Sequence, residues 1–201
     1  MMMLQFPRVL IAGNAGSLAA IRDPDISIAI WERTVQPAFA GLLSSRLLPI
    51  QMTSDIGDLA AALTHATQAA GYPAGGIRAA LEADIVDLAS RFASIMRIDR
   101  LDIRLDRITG DACRKFHADY VLARLITTYA GRGTQWLDGE SAGNCDCAAP
   151  HDVREMRAGD VAILKGRNWD EERAAIHRSP PIAGTGEERL LLTISPERPA
   201  N

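Results

Sequence analysis

Apolar residues recur along this chain with two different periods, and the change from one to the other falls near residue 98. Before it, Ile77, Leu81, Ile85, Leu88, Phe92 and Ile95 lie three or four apart, which predicts an amphipathic helix. Ile56, Leu59 and Leu63 give a shorter version of the same spacing. Ser54 stands as its N-cap, Asp55 and Asp58 sit in its first turn, and Gly71 with Pro73 ends it. After residue 98, Leu101-Asp102-Ile103-Arg104-Leu105-Asp106 alternates strictly, the mark of a half-buried strand. Further strand candidates follow: Lys115 to Tyr129, Thr134–Leu137, Val161–Gly166, Ala174–His177 and Arg189–Ile194, separated by Gly- and Pro-bearing turns. One more, Ile26–Trp31, precedes the helices and is entered through Asp23-Pro24-Asp25.

Many short strands between such turns predict an antiparallel sandwich or barrel. The helical stripes are core-facing, so the helices are expected to pack on one side of the sheet, giving an α+β domain. Within a single domain of 201 residues, positions 1–97 supply a strand and the helical layer, and 98–195 supply the β core. The tail from Pro196 reads as disordered.

Composition narrows the function classes. A formal net charge of −3 gives no electrostatic footprint for nucleic acid or for an anionic membrane surface. No apolar run approaches the roughly 18 residues of a membrane span. The start of the chain carries Pro7 and Arg8 and lacks a secretory pattern. Three cysteines, an odd number, make no disulfide framework, and a cytoplasmic protein is expected. Gly13-Asn14-Ala15-Gly16 lacks the residues of a phosphate loop and reads as a turn. His65 reads as a surface histidine, and Cys113 as a small buried hydrophobe.

Chemistry concentrates at Lys115-Phe116-His117-Ala118-Asp119-Tyr120. In a strand, positions i and i+2 share a face, so His117 and Asp119 would point together. With His177 from a neighbouring strand they make two imidazoles and a carboxylate. Bound on one face of a metal, that set leaves room for a cosubstrate and dioxygen, as in non-haem Fe(II) oxygenases. Arg189 opens the last apolar strand, where its guanidinium could grip the distal carboxylate of a chelating 2-oxo diacid. Each residue alone has an ordinary structural reading. Their ordered combination, with Gly159-Asp160 before a strand, points to the site.

The order Lys115-Phe116-His117-Ala118-Asp119, Leu125 to Tyr129, Gly159-Asp160-Val161-Ala162, His177 and Glu188-Arg189-Leu190 resembles the 2-oxoglutarate/Fe(II) dioxygenases, the prolyl-hydroxylase branch especially. The phrases Thr134-Gln135-Trp136-Leu137, Leu164-Lys165-Gly166 and His177-Arg178-Ser179-Pro180-Pro181 resemble a bacterial family known only as a domain of unknown function. The resemblance implies a double-stranded β-helix, a jelly-roll or cupin-like barrel, with Fe(II) on His117, Asp119 and His177 and 2-oxoglutarate on Arg189. It implies Tyr129 and Thr127 as further partners of that carboxylate, and Lys165 and Ser179 on the substrate side. The implied reaction is oxidative decarboxylation of 2-oxoglutarate coupled to removal of hydrogen from a small-molecule or protein side-chain substrate. Leu191 departs from the family, which often has a serine or threonine two residues after the arginine.

Cys145, Cys147 and His151 offer a second ligand cluster for zinc or copper, one ligand short of a closed tetrahedral site. They support a rival reading, a non-catalytic cupin-like protein that holds zinc or another divalent ion. Arg189 separates the two readings, since only the oxygenase requires it inside the pocket. The helical layer could also serve a homodimer.

Overall fold

Strands occur on both sides of the change in period. The structure is a computed structural model that describes residues 8–44, 46–111, 113–137 and 152–197. β1 (Arg8–Ala12) leads into a 3₁₀ helix, Ala15–Arg22, capped where the Asn14 side chain accepts a hydrogen bond from Ser17 N. β2 (Ile26–Trp31), a second 3₁₀ helix (Pro37–Ser44) and β3 (Ile50–Asp55) follow. The helical layer is α1 (Leu59–Ala69) and α2 (Gly76–Met96). Then come β4 (Arg100–Ile108), β5 (Ala123–Ala130), β6 (Gln135–Leu137) and β7 (Val153–Glu155). β8 (Val161–Lys165), β9 (His177–Arg178) and β10 (Arg189–Pro196) complete the order.

Seven strands form one sheet in the order β1-β2-β8-β5-β10-β4-β3, and β7-β6-β9 form a second. Every pairing is antiparallel except β1 with β2. His117 adds one rung to the small sheet, exchanging backbone hydrogen bonds of 3.0 and 2.9 Å with His177. The two sheets are arranged as in a double-stranded β-helix, and among the described residues they do not close into a barrel.

The central strands of the large sheet are buried on both faces, which is why β8 and β10 read as continuous apolar runs rather than alternating ones. On the helical side, Leu101, Ile103, Leu105, Leu125, Ile163, Leu190 and Leu192 pack with Leu63, Leu81, Ile85, Leu88 and Phe92. On the inner side, Ile28, Ile30, Ile126, Ala162, Leu164 and Leu191 meet Trp136, Met156 and Ala175. Each large apolar side chain buried this way contributes roughly 1.5–3 kcal/mol before entropy is counted.

Three expectations fail here. Ser54 caps no helix: it lies in β3, opposite Leu101, and α1 begins at Leu59 after Asp58. Residues 8–97 supply three strands of the large sheet rather than one, so helices and sheet are interleaved along the chain. The last strand also continues through Pro196, past the expected end of order. No helix among the described residues is long and apolar enough to cross a membrane.

Candidate metal centre

His117 and Asp119 converge, but not as neighbours in a continuous strand. The chain makes a single bridge at His117, leaves regular structure through residues 118–122 and enters β5 only at Ala123. Three backbone hydrogen bonds hold the turn: Gly166 N donates to Leu122 O at 2.8 Å, Arg167 N to Asp119 O at 2.8 Å and Asn168 N to Val121 O at 3.2 Å. Only glycine allows that approach, since a Cβ at position 166 would stand 1.9 Å from Val121 O.

His117, Asp119 and His177 each present one ligand atom, and these atoms all lie within 4.8 Å of one another. Nε2 of His117 is 3.7 Å from Asp119 Oδ1, and Nε2 of His177 is 3.5 Å from Asp119 Oδ2. The other ring nitrogens are occupied. Nδ1 of His117 faces Lys115 O at 2.9 Å, and Nδ1 of His177 faces Ala175 O at 3.0 Å. A carbonyl accepts only, so each Nδ1 carries a hydrogen, and in a neutral ring the lone pair is then on Nε2, the atom nearer the carboxylate. Burial lowers the His177 pKa below its ordinary 6.5, against the pull of Asp119, and so favours the neutral form.

Asp119 Oδ2 is buried and accepts no hydrogen bond, although Arg124 Nη1 lies 3.2 Å away. Arg124 offsets part of the carboxylate's charge, and a cation among Asp119 and the two Nε2 atoms would offset the rest. The donor set of two imidazoles and a carboxylate fits a divalent first-row ion.

Arg189 is fully buried on the inner face of β10. Its Nε donates to Arg132 O at 2.6 Å, Nη1 to Ser179 Oγ at 3.1 Å, and Nη2 to Thr128 and Thr134 Oγ1 at 3.2 Å each. All four acceptors are neutral. Burial pushes its pKa down to about 10, with the more distant Glu155 only partly opposing, so it stays charged at neutral pH.

The expected companions of Arg189 are misplaced by one residue. β5 bulges where it meets β10 between Leu190 and Leu191, and Thr128 takes the inner position opposite Leu191. Thr127 and Tyr129 alternate with it and, like Leu125, face the helical layer. Thr127 Oγ1 points to Gly159 O at 3.5 Å, and Tyr129 donates to Asp84 Oδ2 of α2 at 2.7 Å. Lys165 is likewise on the helical side, where its ammonium donates to Asp23 O and Pro24 O at 3.0 and 3.2 Å. Ser179 does reach the site, through Arg189. Cys113 is exposed, not buried, with a φ of 58°. Cys145, Cys147 and His151 lie outside the described residues.

Three further residues escaped the sequence pattern. Arg124 contacts Asp119, and Thr134 contacts Arg189. Trp136 pairs with His177 across β6 and β9, and its buried Nε1 has no acceptor. A Trp in a short apolar run gives no hint that its indole N–H is unsatisfied.

No curated protein sequence matches the chain. Among solved structures, a dioxygenase for auxin oxidation from Arabidopsis thaliana, in complex with 2-oxoglutarate, is similar at a TM-score of 0.51 and 10% identity, over 97% of this chain and 94% of that one. A full-length Neurospora crassa protein, in complex with α-ketoglutarate, has 12% identity over 94% and 83% of the two chains, with a TM-score of 0.45. AviO1 from Streptomyces viridochromogenes Tue57 has 13% identity over 94% and 98%, with a TM-score of 0.44. At these identities the likeness is one of fold, and the first of the three carries it. The model of a family described as protein of unknown function, DUF1826, matches residues 13–195, and the chain belongs to that family.

Proposed function

We propose that the protein is a non-haem Fe(II)/2-oxoglutarate-dependent oxygenase, with His117, Asp119 and His177 as metal ligands and Arg189 as the anchor of the cosubstrate's distal carboxylate. The observation that carries this reading is the convergence of Asp119 with the Nε2 atoms of two imidazoles whose Nδ1 atoms are already engaged, with Asp119 Oδ2 buried and without a hydrogen bond among the described residues. The fully buried guanidinium with only neutral contacts supports it from the other side of the pocket. A bound iron with its 2-oxo acid supplies the oxidative chemistry. The chain's own contribution is to fix ligand orientation and exclude water.

Each residue has a separate task in this scheme. Lys115 O and Ala175 O hold the two imidazoles in the ligating tautomer. Arg124 steadies Asp119 without entering the ligand set. Thr128, Thr134 and Ser179 hold the plane of the Arg189 guanidinium and leave one Nη1 hydrogen for a carboxylate, so a paired grip would replace one of these hydroxyls. Leu191, next along the inner face of β10, replaces a hydroxyl donor with an apolar wall.

Anaerobic addition of Fe(II) and 2-oxoglutarate tests the reading. A weak visible charge-transfer band of the chelate is expected in the wild type, and its loss in Arg189→Ala. No band in the wild type, or one unchanged in Arg189→Ala, overturns it. Tight metal binding without any band favours the non-catalytic metal protein instead.

A further inference from the structure

Among the described residues, the three-stranded sheet covers only part of the large one. Beyond β10 none of them covers the inner faces of β4 and β3, and a trough of about 590 Å³ runs across them. Gln51, Thr53, Asp102, Arg104, Arg124 and Ser195 line it; Met52 is the one apolar lining residue among those described. A second cavity of about 560 Å³ shares Arg104, Arg124 and Thr193 with the trough and extends to Ser179, the partner of Arg189. The trough thus touches the metal cluster through Arg124, and the second cavity beside it reaches Arg189 through Ser179.

Its charges are unevenly held. Arg124 lies between Asp119 Oδ2 at 3.2 Å and Ser195 Oγ at 3.3 Å. A divalent ion on Asp119 draws on that carboxylate's charge and leaves the Arg124 end of the trough positive. Arg104 stands opposite Thr193 in the sheet, with its side chain 55% exposed and its Nε 3.7 Å from Asp106 Oδ2, a loose surface pair that contributes little. Asp102 accepts from Thr53 Oγ1 at 2.6 Å and counters part of this positive charge, which disfavours a multiply charged anion. The walls offer hydroxyl, amide and guanidinium groups in place of an apolar surface.

We propose that this trough is the substrate site of the oxygenase and takes a small polar molecule bearing one carboxylate, held by Arg104 and Arg124. The proposal rests on the His117/Asp119/His177 cluster being the reacting centre. It makes Arg104 a specificity-determining residue with no part in metal or cosubstrate binding.

N-acetylglycine and N-acetylglycinamide, alike except for the carboxylate, are suitable probes of the full chain. Saturating 2-oxoglutarate occupies Arg189, saturation-transfer NMR reads binding, and broadening of the acetyl methyl resonance by added Mn(II) reads nearness to the cluster. The acid is expected to bind at least fivefold more tightly than the amide and to be broadened. Arg104→Gln is expected to remove that preference, and Arg104→Lys to keep part of it. Equal binding of the two probes, no binding of the acid, or a preference that survives Arg104→Gln overturns the proposal. Saturation transfer without Mn(II) separates the two failures. A chain that takes up Mn(II) but shows no acid preference keeps the metal centre and loses the trough. One that prefers the acid through Arg104 but takes up no Mn(II) keeps the carboxylate site and loses the oxygenase.

Discussion

Two guanidiniums are withdrawn from water on opposite faces of the seven-stranded sheet, and they are held in opposite ways. Arg33, on the helical side, meets Asp84 with both terminal nitrogens at 2.5 and 2.9 Å, and Tyr129 donates to the same carboxylate. Burial alone would lower its pKa, but Asp84 outweighs burial and raises it. Arg189, on the inner side, has hydroxyls and one carbonyl in contact and no carboxylate, and its pKa is lowered. One face carries a completed ion pair that ties α2 to the sheet. The other carries half of one. A buried charge without a counter-charge is costly, and a ligand's carboxylate is the natural completion.

Substitutions can break this contrast, beginning with the site's own anion. Asp119→Ala is expected to lower Mn(II) affinity by at least about 100-fold, read by electron paramagnetic resonance titration, since even outer-shell changes reach that scale. Asp84→Ala should leave it unchanged. The arginines come next. Arg189→Met should weaken 2-oxoglutarate binding by about 30-fold, or ~2 kcal/mol, in calorimetry of the Mn(II)-loaded protein. Without ligand, the same variant should be as stable as the wild type or more so, because a lone buried charge has been removed. Arg33→Met should instead lose about 2 kcal/mol in urea unfolding, since Asp84 and Tyr129 are left without it. Equal destabilisation by the two would erase the contrast.

Smaller effects sharpen the comparison. Trp136→Phe removes the buried donor beside His177 and should weaken 2-oxoglutarate binding about fivefold, or ~1 kcal/mol. An unchanged affinity would put that indole outside the ligand's reach. The smallest effect concerns Asp111, whose carboxylate accepts from Ile182 N at 2.9 Å and Ala183 N at 2.8 Å. Those backbone bonds hold its pKa below the ordinary 3.8. The stability they add is therefore full above pH 3.8 and lost as pH falls through the lower, folded-state value. Acid unfolding of Asp111→Asn should lack that component.

Much of the architecture was legible because burial wrote it into the pattern. The helical stripe from Ile77 to Ile95 became α2, and the alternation at Leu101–Asp106 became β4. β3 was misread because an edge strand with exposed Gln51, Thr53 and Asp55 carries little apolar signal, and Ser54 with two nearby aspartates mimics a helix start. The proposed metal ligands were visible as a spaced triad, although their convergence depends on a turn rather than a strand. Thr128 was missed in favour of Thr127 because β5 is apolar on both faces, so alternation alone does not say which face is the inner one: Leu125, Thr127 and Tyr129 turn to the helices, Ile126 and Thr128 inward. Lys165 looked like a pocket residue because an ammonium in an apolar strand invites a chemical role. Two distant carbonyls give it a structural one.

The approach of Gly166 to the turn at residues 119–122 bears on how such a centre can diversify. The path of that turn is held by main-chain bonds from residues 166–168, after β8, and Leu122, which is exposed, is fixed there through its carbonyl rather than its side chain. The rim beside the centre can be rewritten while the bond-forming geometry is preserved. One hydrogen atom in place of a methyl group at position 166 permits that separation of entrance from chemistry.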